Sequence, residues 1–547
     1  MFPFTNPRAQ FPEIWSRVMR DDPPNPQGAL GELMKLLEEV FNCEQIDHVV
    51  VKNSASFLFD LRALGFSGLG WNVLIVSPPP RNDDEARWQA EFLAEQKQAA
   101  DSIGFCFQLY LSDTLPAKNR FVASSQEAVF LCRADLERIF TASIPKMALA
   151  AIIRSQTPLS RLCPFNTSQE ASGAMFYGRR AELSLLVEDL SKSVAIQGAR
   201  RLGKTSLLRH AYRTLRNRFA NDRWPRVFYF NCLTWSSYAF ACFSLAHQID
   251  PKREQRLAMA DKNVEYMLER ASRGGSRPLY LFFDEVDRLI DLDAMNNWRF
   301  FSLLAWAKAA GLIRFVVAGY RSVSRLVFGQ EATRSLDTRP GHEGVPPVDT
   351  PLLLALEPLH LSPLDRKDAD KLLAEPLEIT EVKIHQEPQV QERVWRATIG
   401  HPFLIQFIGQ HLYRIAVERN PHYITPDDVE AVEQSADLRE FLETHFIEST
   451  LHNGIPVPQE RACAFLFAHS LAPHWSEQDF WESCTSHGVD LGRDPLGAIH
   501  RAVKNLIDAQ VLTRIHGRLS FAFPMMRQVL VNAFPDVTKG IRALAGG

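Results

Sequence analysis

The octapeptide Gly198-Ala-Arg-Arg-Leu-Gly-Lys-Thr205 constrains this chain more than any other stretch of it. It follows the apolar run Val194-Ala-Ile196 and precedes a helix-like segment, 206–214. Strand, glycine-bearing turn and helix therefore come in direct succession, the context a phosphate-binding loop needs. Gly198 and Gly203 let the backbone curl so that successive N–H groups and a helix N-terminus point at one spot, where aligned peptide dipoles favour an anion. Arg200, Arg201, Leu202 and Ser206 complete the predicted cradle for a nucleoside triphosphate. Lys204 is expected to reach the β- and γ-phosphates, and Thr205 to hold Mg²⁺.

Some eighty residues on, Leu279-Tyr-Leu-Phe-Phe283 reads as a strand buried on both faces of a parallel sheet, and it ends in Asp284-Glu285-Val286-Asp287. Carboxylates at the C-terminal end of such a strand lie where ligands bind in open α/β sheets. Asp284 is expected to fix Mg²⁺ through water, and Glu285 to polarise the attacking water in hydrolysis. A third strand, 312–318, leads into Gly319-Tyr-Arg321. Its end is expected beside the other two, so that Arg321 senses the γ-phosphate, with Arg325 one turn further as the alternative. Phe228-Tyr-Phe-Asn231 supplies a further strand.

Together these stretches carry a resemblance. Phe176-Tyr-Gly-Arg179 with Glu182-Leu183, the phosphate loop running into Ser206, Asp284-Glu285-x-Asp287, Ala318-Gly-Tyr-Arg321, Leu361-Ser-Pro-Leu364 and Gly400-His-Pro402 occur in that order. Order and spacing resemble the STAND class of AAA+-related ATPases over about residues 160–535, in particular archaeal and bacterial members with a Phe-x-Gly-Arg motif. The resemblance implies that Gly178 and Arg179 flank the nucleoside and that Pro402 contacts adenine. A Gly-His-Pro turn, with His401 at its centre, stands where many AAA+ enzymes carry a lid arginine. It further implies an ATP-controlled switch that opens on a trigger and assembles, often in bacterial, including antiviral, defence or signalling.

With 46% hydrophobic and 23% charged residues in 547, the chain has the make-up of soluble globular protein in about three to four domains. A net charge of −3 provides no global basic field for a nucleic-acid partner. The eight cysteines are scattered without metal-ligand spacing and read as thiols of a reducing cytosol. No apolar stretch approaches the ~20 residues of a membrane span, and the start lacks the basic and apolar regions of a signal peptide. The expected location is cytoplasmic, with no membrane partner.

The expected fold is α/β: a P-loop NTPase parallel-sheet core of AAA+/STAND type, a helical lid, a C-terminal winged helix and a small N-terminal α/β domain. The boundaries read as 1–145 for the N-terminal recognition or docking domain, 146–172 for a connector, 173–362 for the core, 363–440 for the lid and 441–547 for the winged helix. Proline-rich Asp21-Asp-Pro-Pro-Asn-Pro26 sets off a short N-terminal arm. Beyond it, strands near 48–51, 71–76, 105–110 and 128–132 alternate with a helix over 83–102. The stretch 329–351, rich in Gly, Pro and Thr, reads as a long loop within the core. Lid helices are expected over 365–377, 387–398, 402–418 and 426–435, with Asp365 and Thr425 as N-caps.

From about His445, three helices precede two alternating strands around His516-Gly517, the pattern of a winged helix. Residues 445–547 hold nine Lys/Arg against nine Asp/Glu, which favours protein packing over a DNA footprint. The function read from the chain is an ATPase, slow or regulated, requiring ATP and Mg²⁺, whose nucleotide-dependent change drives self-association into a homo-oligomer or activates a separate effector. The alternatives are a DNA-associated AAA+ regulator and a structural nucleotide-binding scaffold.

Overall fold

The computed structural model describes most of residues 7–531; the longer stretches outside the described residues are 60–70, 92–102, 116–127, 220–225, 251–260, 320–355 apart from Val323, and 446–457. The expected long loop at 329–351, and most of the helix expected over 83–102, thus lie outside the described residues. The chain forms two compact units, each drawn from several stretches: Met1–Tyr177 with Arg366–Val394 and Leu404–Val432, and Gly178–Asp365 with Trp395–Phe403 and Glu433–Gly547. The stretch expected as one lid, 363–440, is shared between them.

The first unit is built on a sheet of β1 (Gln45–Val51), β2 (Ser54–Phe59), β3 (Trp71–Ser77), β4 (Ile103–Tyr110) and β5 (Ala128–Leu131), paired in that order. β1–β2–β3 run antiparallel and β3–β4–β5 parallel. Successive side chains in a strand point to opposite faces. Ala55, Phe57, Leu74, Val76, Phe107, Leu109, Val129 and Leu131 accordingly share one buried core. Helices Ala29–Phe41, Arg133–Thr141 and Pro145–Gln156 cover it. The N-terminal arm is itself part of this core. Residues Pro7–Val18 are helical and bury Phe11, Ile14, Trp15 and Val18, with the Phe11 ring 4.8 Å from that of Phe140.

The helices Arg366–Ile379 and Pro402–Val417 lock onto the stretch that follows this sheet. Tyr413 donates its hydroxyl to the Leu159 carbonyl at 2.8 Å, and the Asn166 N–H donates to Gln406 Oε1 at 3.2 Å. Arg154 donates to the Ile379 carbonyl and pairs with Glu381. Gly409 sits so close to Phe165 that a Cβ there would lie 2.6 Å from its ring, which is why no side chain is tolerated. Asp428 accepts from the N–H and hydroxyl of Thr425 (2.7 and 2.8 Å) and pairs with Arg419, fixing the start of helix Pro426–Glu433.

The second unit centres on an all-parallel sheet of β6 (Val194–Gln197), β7 (Val227–Asn231), β8 (Leu279–Asp284), β9 (Ile313–Gly319) and β10 (Glu357–His360), in the spatial order β10-β6-β9-β8-β7. β6, β8 and β9 are buried almost throughout, as expected of parallel strands covered on both faces. The expected strand at 312–318 is β9, and it lies directly between the phosphate-loop strand and the acidic one. Edge strand β10 has no apolar run to announce it. Its Glu-Pro-Leu-His sequence is largely exposed, and proline is tolerated in a sheet only at such an edge. Phe230, Trp235, Phe283 and Phe300 pack ring on ring at 5.1–6.1 Å beneath β7 and β8.

The helices Pro458–His469, Glu477–Ser486 and Pro495–Asp508 and the hairpin Leu512–Ile515/Arg518–Phe521 follow where the pattern predicts them. Gly517 turns the hairpin at φ 80°. Among the described residues no helix is long and apolar enough to cross a membrane.

Helix Arg299–Ala309 begins at Trp298, whose side chain cannot cap it. Buried Asp293 of the preceding helix does so instead, accepting from the N–H groups of Phe300 and Phe301, both at 3.0 Å. Asp293→Ala strands two buried donors and is expected to cost about 1–3 kcal/mol. Urea unfolding is expected to show a lower midpoint for Asp293→Ala and a smaller shift for Asp293→Asn, which keeps an acceptor; equal midpoints for wild type and Asp293→Ala would refute the cap.

Candidate functional site

Parallel pairing brings the carboxyl ends of β6, β9 and β8 to one edge, with Gln197 opposite Gly319 and Phe283 opposite Val317. The phosphate loop leaves β6 there and closes into the helix Lys204–Arg218. Two residues take left-handed backbone, Arg201 at φ 62° and Gly203 at φ 93°. For Gly203 this is free of cost; for Arg201 it is strain of the kind held at functional sites. Gly198 is needed for closeness: a Cβ there would meet Leu361 Cβ at 3.0 Å.

The Lys204 ammonium turns back into the loop and donates to the carbonyls of Gly198 and Ala199, both at 2.9 Å. Burial pulls its pKa down, and the charges of Glu285, Asp287 and Asp284 oppose that shift. The expected partners across the sheet are therefore electrostatically coupled to the lysine. Thr205 and Ser206 follow in the first turn of the helix.

Asp284 is 2% exposed, with both oxygens engaged. Oδ1 accepts from the Glu285 N–H at 3.0 Å, and Oδ2 from the Tyr229 hydroxyl at 2.6 Å. Glu285 reaches solvent and adopts φ 54°, a conformation rare for a residue with a side chain. The protein mass around it and then the Asp284 charge push its carboxyl above the usual range, against the pull of Lys204. The Val286 N–H donates to the Ala318 carbonyl at 3.2 Å, stitching the acidic turn to β9. Gly319 at the end of β9 lets Asp287 approach: a Cβ there would sit 2.8 Å from its Oδ2.

Arg179, at φ 62° and 9% exposed, is a clamp beneath the loop. Its guanidinium donates to the Leu202 carbonyl at 3.2 Å, to the Ser362 carbonyl, and to Glu182 at 3.2 Å. Gly178, at φ 67°, precedes it. Gly400 is at φ 76°, and the Leu364 N–H donates to its carbonyl at 2.9 Å, so the Leu361–Leu364 and Gly400–Pro402 motifs meet. Pro402 opens the helix Pro402–Val417.

One loop residue is gripped from the residue after the Gly-His-Pro turn and from the segment beyond Glu433. The Arg201 guanidinium lies 4.0 Å above the Phe403 ring and donates to His445 Nδ1 at 3.1 Å. Phe403 stacks on Phe441 at 4.8 Å, and Phe441 meets the His445 ring edge-on at 4.8 Å. His401 is fully buried, with its ring 5.4 Å from that of Phe523.

Arg321 and Arg325 lie outside the described residues. No motif pointed to Tyr229, Phe403, Phe441 or His445. Each enters through a contact with a residue remote in sequence, which spacing alone does not reveal. Among the described residues no group of three or more His, Cys, Asp or Glu side chains could hold a metal ion. The hard oxygens of Thr205 and Asp284 fit Mg²⁺, which takes one or two protein oxygens and completes its shell with phosphate and water.

The sequence matches no known family model and no curated protein. Among solved structures it is similar to a Walker-type ATPase of Pyrococcus abyssi, with TM-score 0.45 and 16% identity over 65% of this chain and 96% of that one. It is similar also to the Aeropyrum pernix ORC2 protein in ADPNP–ADP complexes, with TM-score 0.45 and 14% identity over 67% and 95%. The Thermotoga maritima RuvB Holliday junction branch migration motor gives TM-score 0.32 and 16% identity over 63% and 92%. The chemistry of the site therefore rests on its own residues.

Burial first, then the charges of Arg179 and Arg201, pushes the His401 imidazole down to about 3. In the unfolded chain it takes up a proton near 6.5. Between these values the folded protein binds fewer protons than the unfolded one. The stability His401 confers is thus complete above pH about 6.5 and is lost as pH falls, at up to about 1.4 kcal/mol per pH unit. His401→Gln, which does not titrate, is expected to flatten the stability–pH curve over this window; parallel curves for the two proteins would contradict the assignment.

Proposed function

We propose that the chain is a STAND-like ATP-binding and ATP-hydrolysing switch, whose nucleotide state controls self-association or activation of a partner. The observation that carries this reading is the grip on the phosphate loop: Arg201 on Phe403 and His445. A loop that only stored a nucleotide has no need of such ties. A phosphate arriving at the loop competes for Arg201, so nucleotide binding and the arrangement of 401–403 and 441–445 bias each other. Such unequal contact is what a ligand requires to shift a conformational equilibrium.

In this reading Lys204 exchanges the carbonyls of Gly198 and Ala199 for the β- and γ-phosphates. Thr205 and Asp284 are the residues that hold Mg²⁺, whose contribution is neutralisation of phosphate charge. Glu285 orients the attacking water and takes its proton, the role of a general base. Gly178, Arg179 and Pro402 border the nucleoside, and the segment 363–440 acts as the lid. The C-terminal helices and hairpin act as a winged helix that packs on protein, in keeping with their even charge balance.

Lys204→Ala is expected to weaken ATP binding roughly tenfold to a hundredfold, the loss of a charge-assisted contact; unchanged affinity would remove the phosphate-loop assignment. Glu285→Gln is expected to keep ATP bound while hydrolysis drops about a hundredfold or more. Light scattering without nucleotide, with ADP and with ATP tests the switch. Growth to a discrete oligomer with ATP, strengthened in Glu285→Gln, is the expected result. A monomer in every condition despite bound ATP, with no change in partner binding, would leave a structural nucleotide in its place.

A further inference from the structure

We infer that Tyr229 and Arg209 form a positioning relay for the Asp284 carboxylate, so that the hydroxyl of Tyr229 sets how well this site takes its divalent cation. The inference rests on the reading of Asp284 as the residue that holds Mg²⁺. Its basis is a chain of contacts within the second unit. Tyr229 lies on β7, where it pairs with Phe282, so the next residue of β8 on the same face is Asp284. Its hydroxyl donates to Asp284 Oδ2 at 2.6 Å and accepts from Arg209 Nε at 3.2 Å. The Arg209 guanidinium also lies over the Tyr229 ring, 5.1 Å from its centre.

Arg209 belongs to the helix that starts at Lys204. The helix that begins with the phosphate-binding lysine is thereby wired through one phenol to the carboxylate on the acidic strand. Because Oδ1 is engaged by the Glu285 N–H, the Tyr229 hydroxyl is what fixes the second oxygen and hence the rotation of the whole carboxylate. Partners of this kind, which orient a ligating group without touching the cation, typically contribute tenfold or more to metal affinity.

Packing of the ring does not explain the arrangement. The ring stands 5.7 Å from that of Tyr212, a contact that phenylalanine would keep. Tyr229→Phe therefore isolates the hydroxyl. The experiment titrates Mg²⁺ against ATP hydrolysis and against binding of a fluorescent ATP analogue, in wild type, Tyr229→Phe and Arg209→Lys, with analogue binding in EDTA as the reference. Tyr229→Phe is expected to raise the half-saturating Mg²⁺ concentration about tenfold and leave binding in EDTA unchanged. Arg209→Lys, which keeps the charge but removes the Nε donor, is expected to shift it in the same direction by less. Half-saturation equal to wild type in Tyr229→Phe overturns the relay while leaving the ATPase reading intact. A wild type whose nucleotide binding and hydrolysis are both indifferent to Mg²⁺ overturns the reading of Asp284 and the relay with it.

Discussion

Burying the Lys204 ammonium is the constraint on which the rest of the second unit depends. An unpaired buried charge is among the costliest things a fold can contain. Here two main-chain carbonyls accept its hydrogen bonds, and three carboxylates supply the opposing field. That solution holds only if the strand bearing Asp284 ends level with the one bearing the loop, which is what the interposed β9 ensures. It also requires Gly319, since any side chain there would push Asp287 away. Arg179 holds the underside of the same loop by its Leu202 carbonyl. Left-handed backbone at Arg179, Arg201 and Glu285 is the local strain that this convergence carries.

The loop carries a second cation beside the lysine. Arg201 rests on an aromatic face and an imidazole nitrogen, neither of which carries a full opposite charge. Cation–π and neutral hydrogen-bond partners hold a guanidinium by a few kcal/mol at most. A phosphate oxygen is a stronger partner. The contacts of the side chain are thus of moderate strength.

The parts of this structure legible in the sequence are those written in local pattern. The glycine–lysine loop, the continuous apolar runs of β8 and β9 and the hairpin at Gly517 each declare themselves within ten residues. The parts that were not legible depend on remote partners or on exposure. β10 is an edge strand carrying Pro358 and no apolar run, and β2 follows β1 so closely that its Ser-Ala-Ser start reads as loop. The helix Pro7–Val18 contains Pro12 and looks like an arm until the Phe11 and Trp15 positions are seen to be buried. Tyr229 looks like one more core aromatic until its hydroxyl is found on Asp284.

The division of the chain has a consequence for how such a protein is taken apart. The backbone passes from one unit to the other five times, after Tyr177, Asp365, Val394, Phe403 and Val432. The N-terminal sheet is therefore not a bead on a string. Excising residues 1–177 would remove the acceptor of Tyr413, the ring that fills the space over Gly409, and the apolar surface on which Ile379 is buried. The remaining helices of 366–432 would be left with uncovered greasy faces, so a clean modular swap at the amino end has to carry those later segments with it.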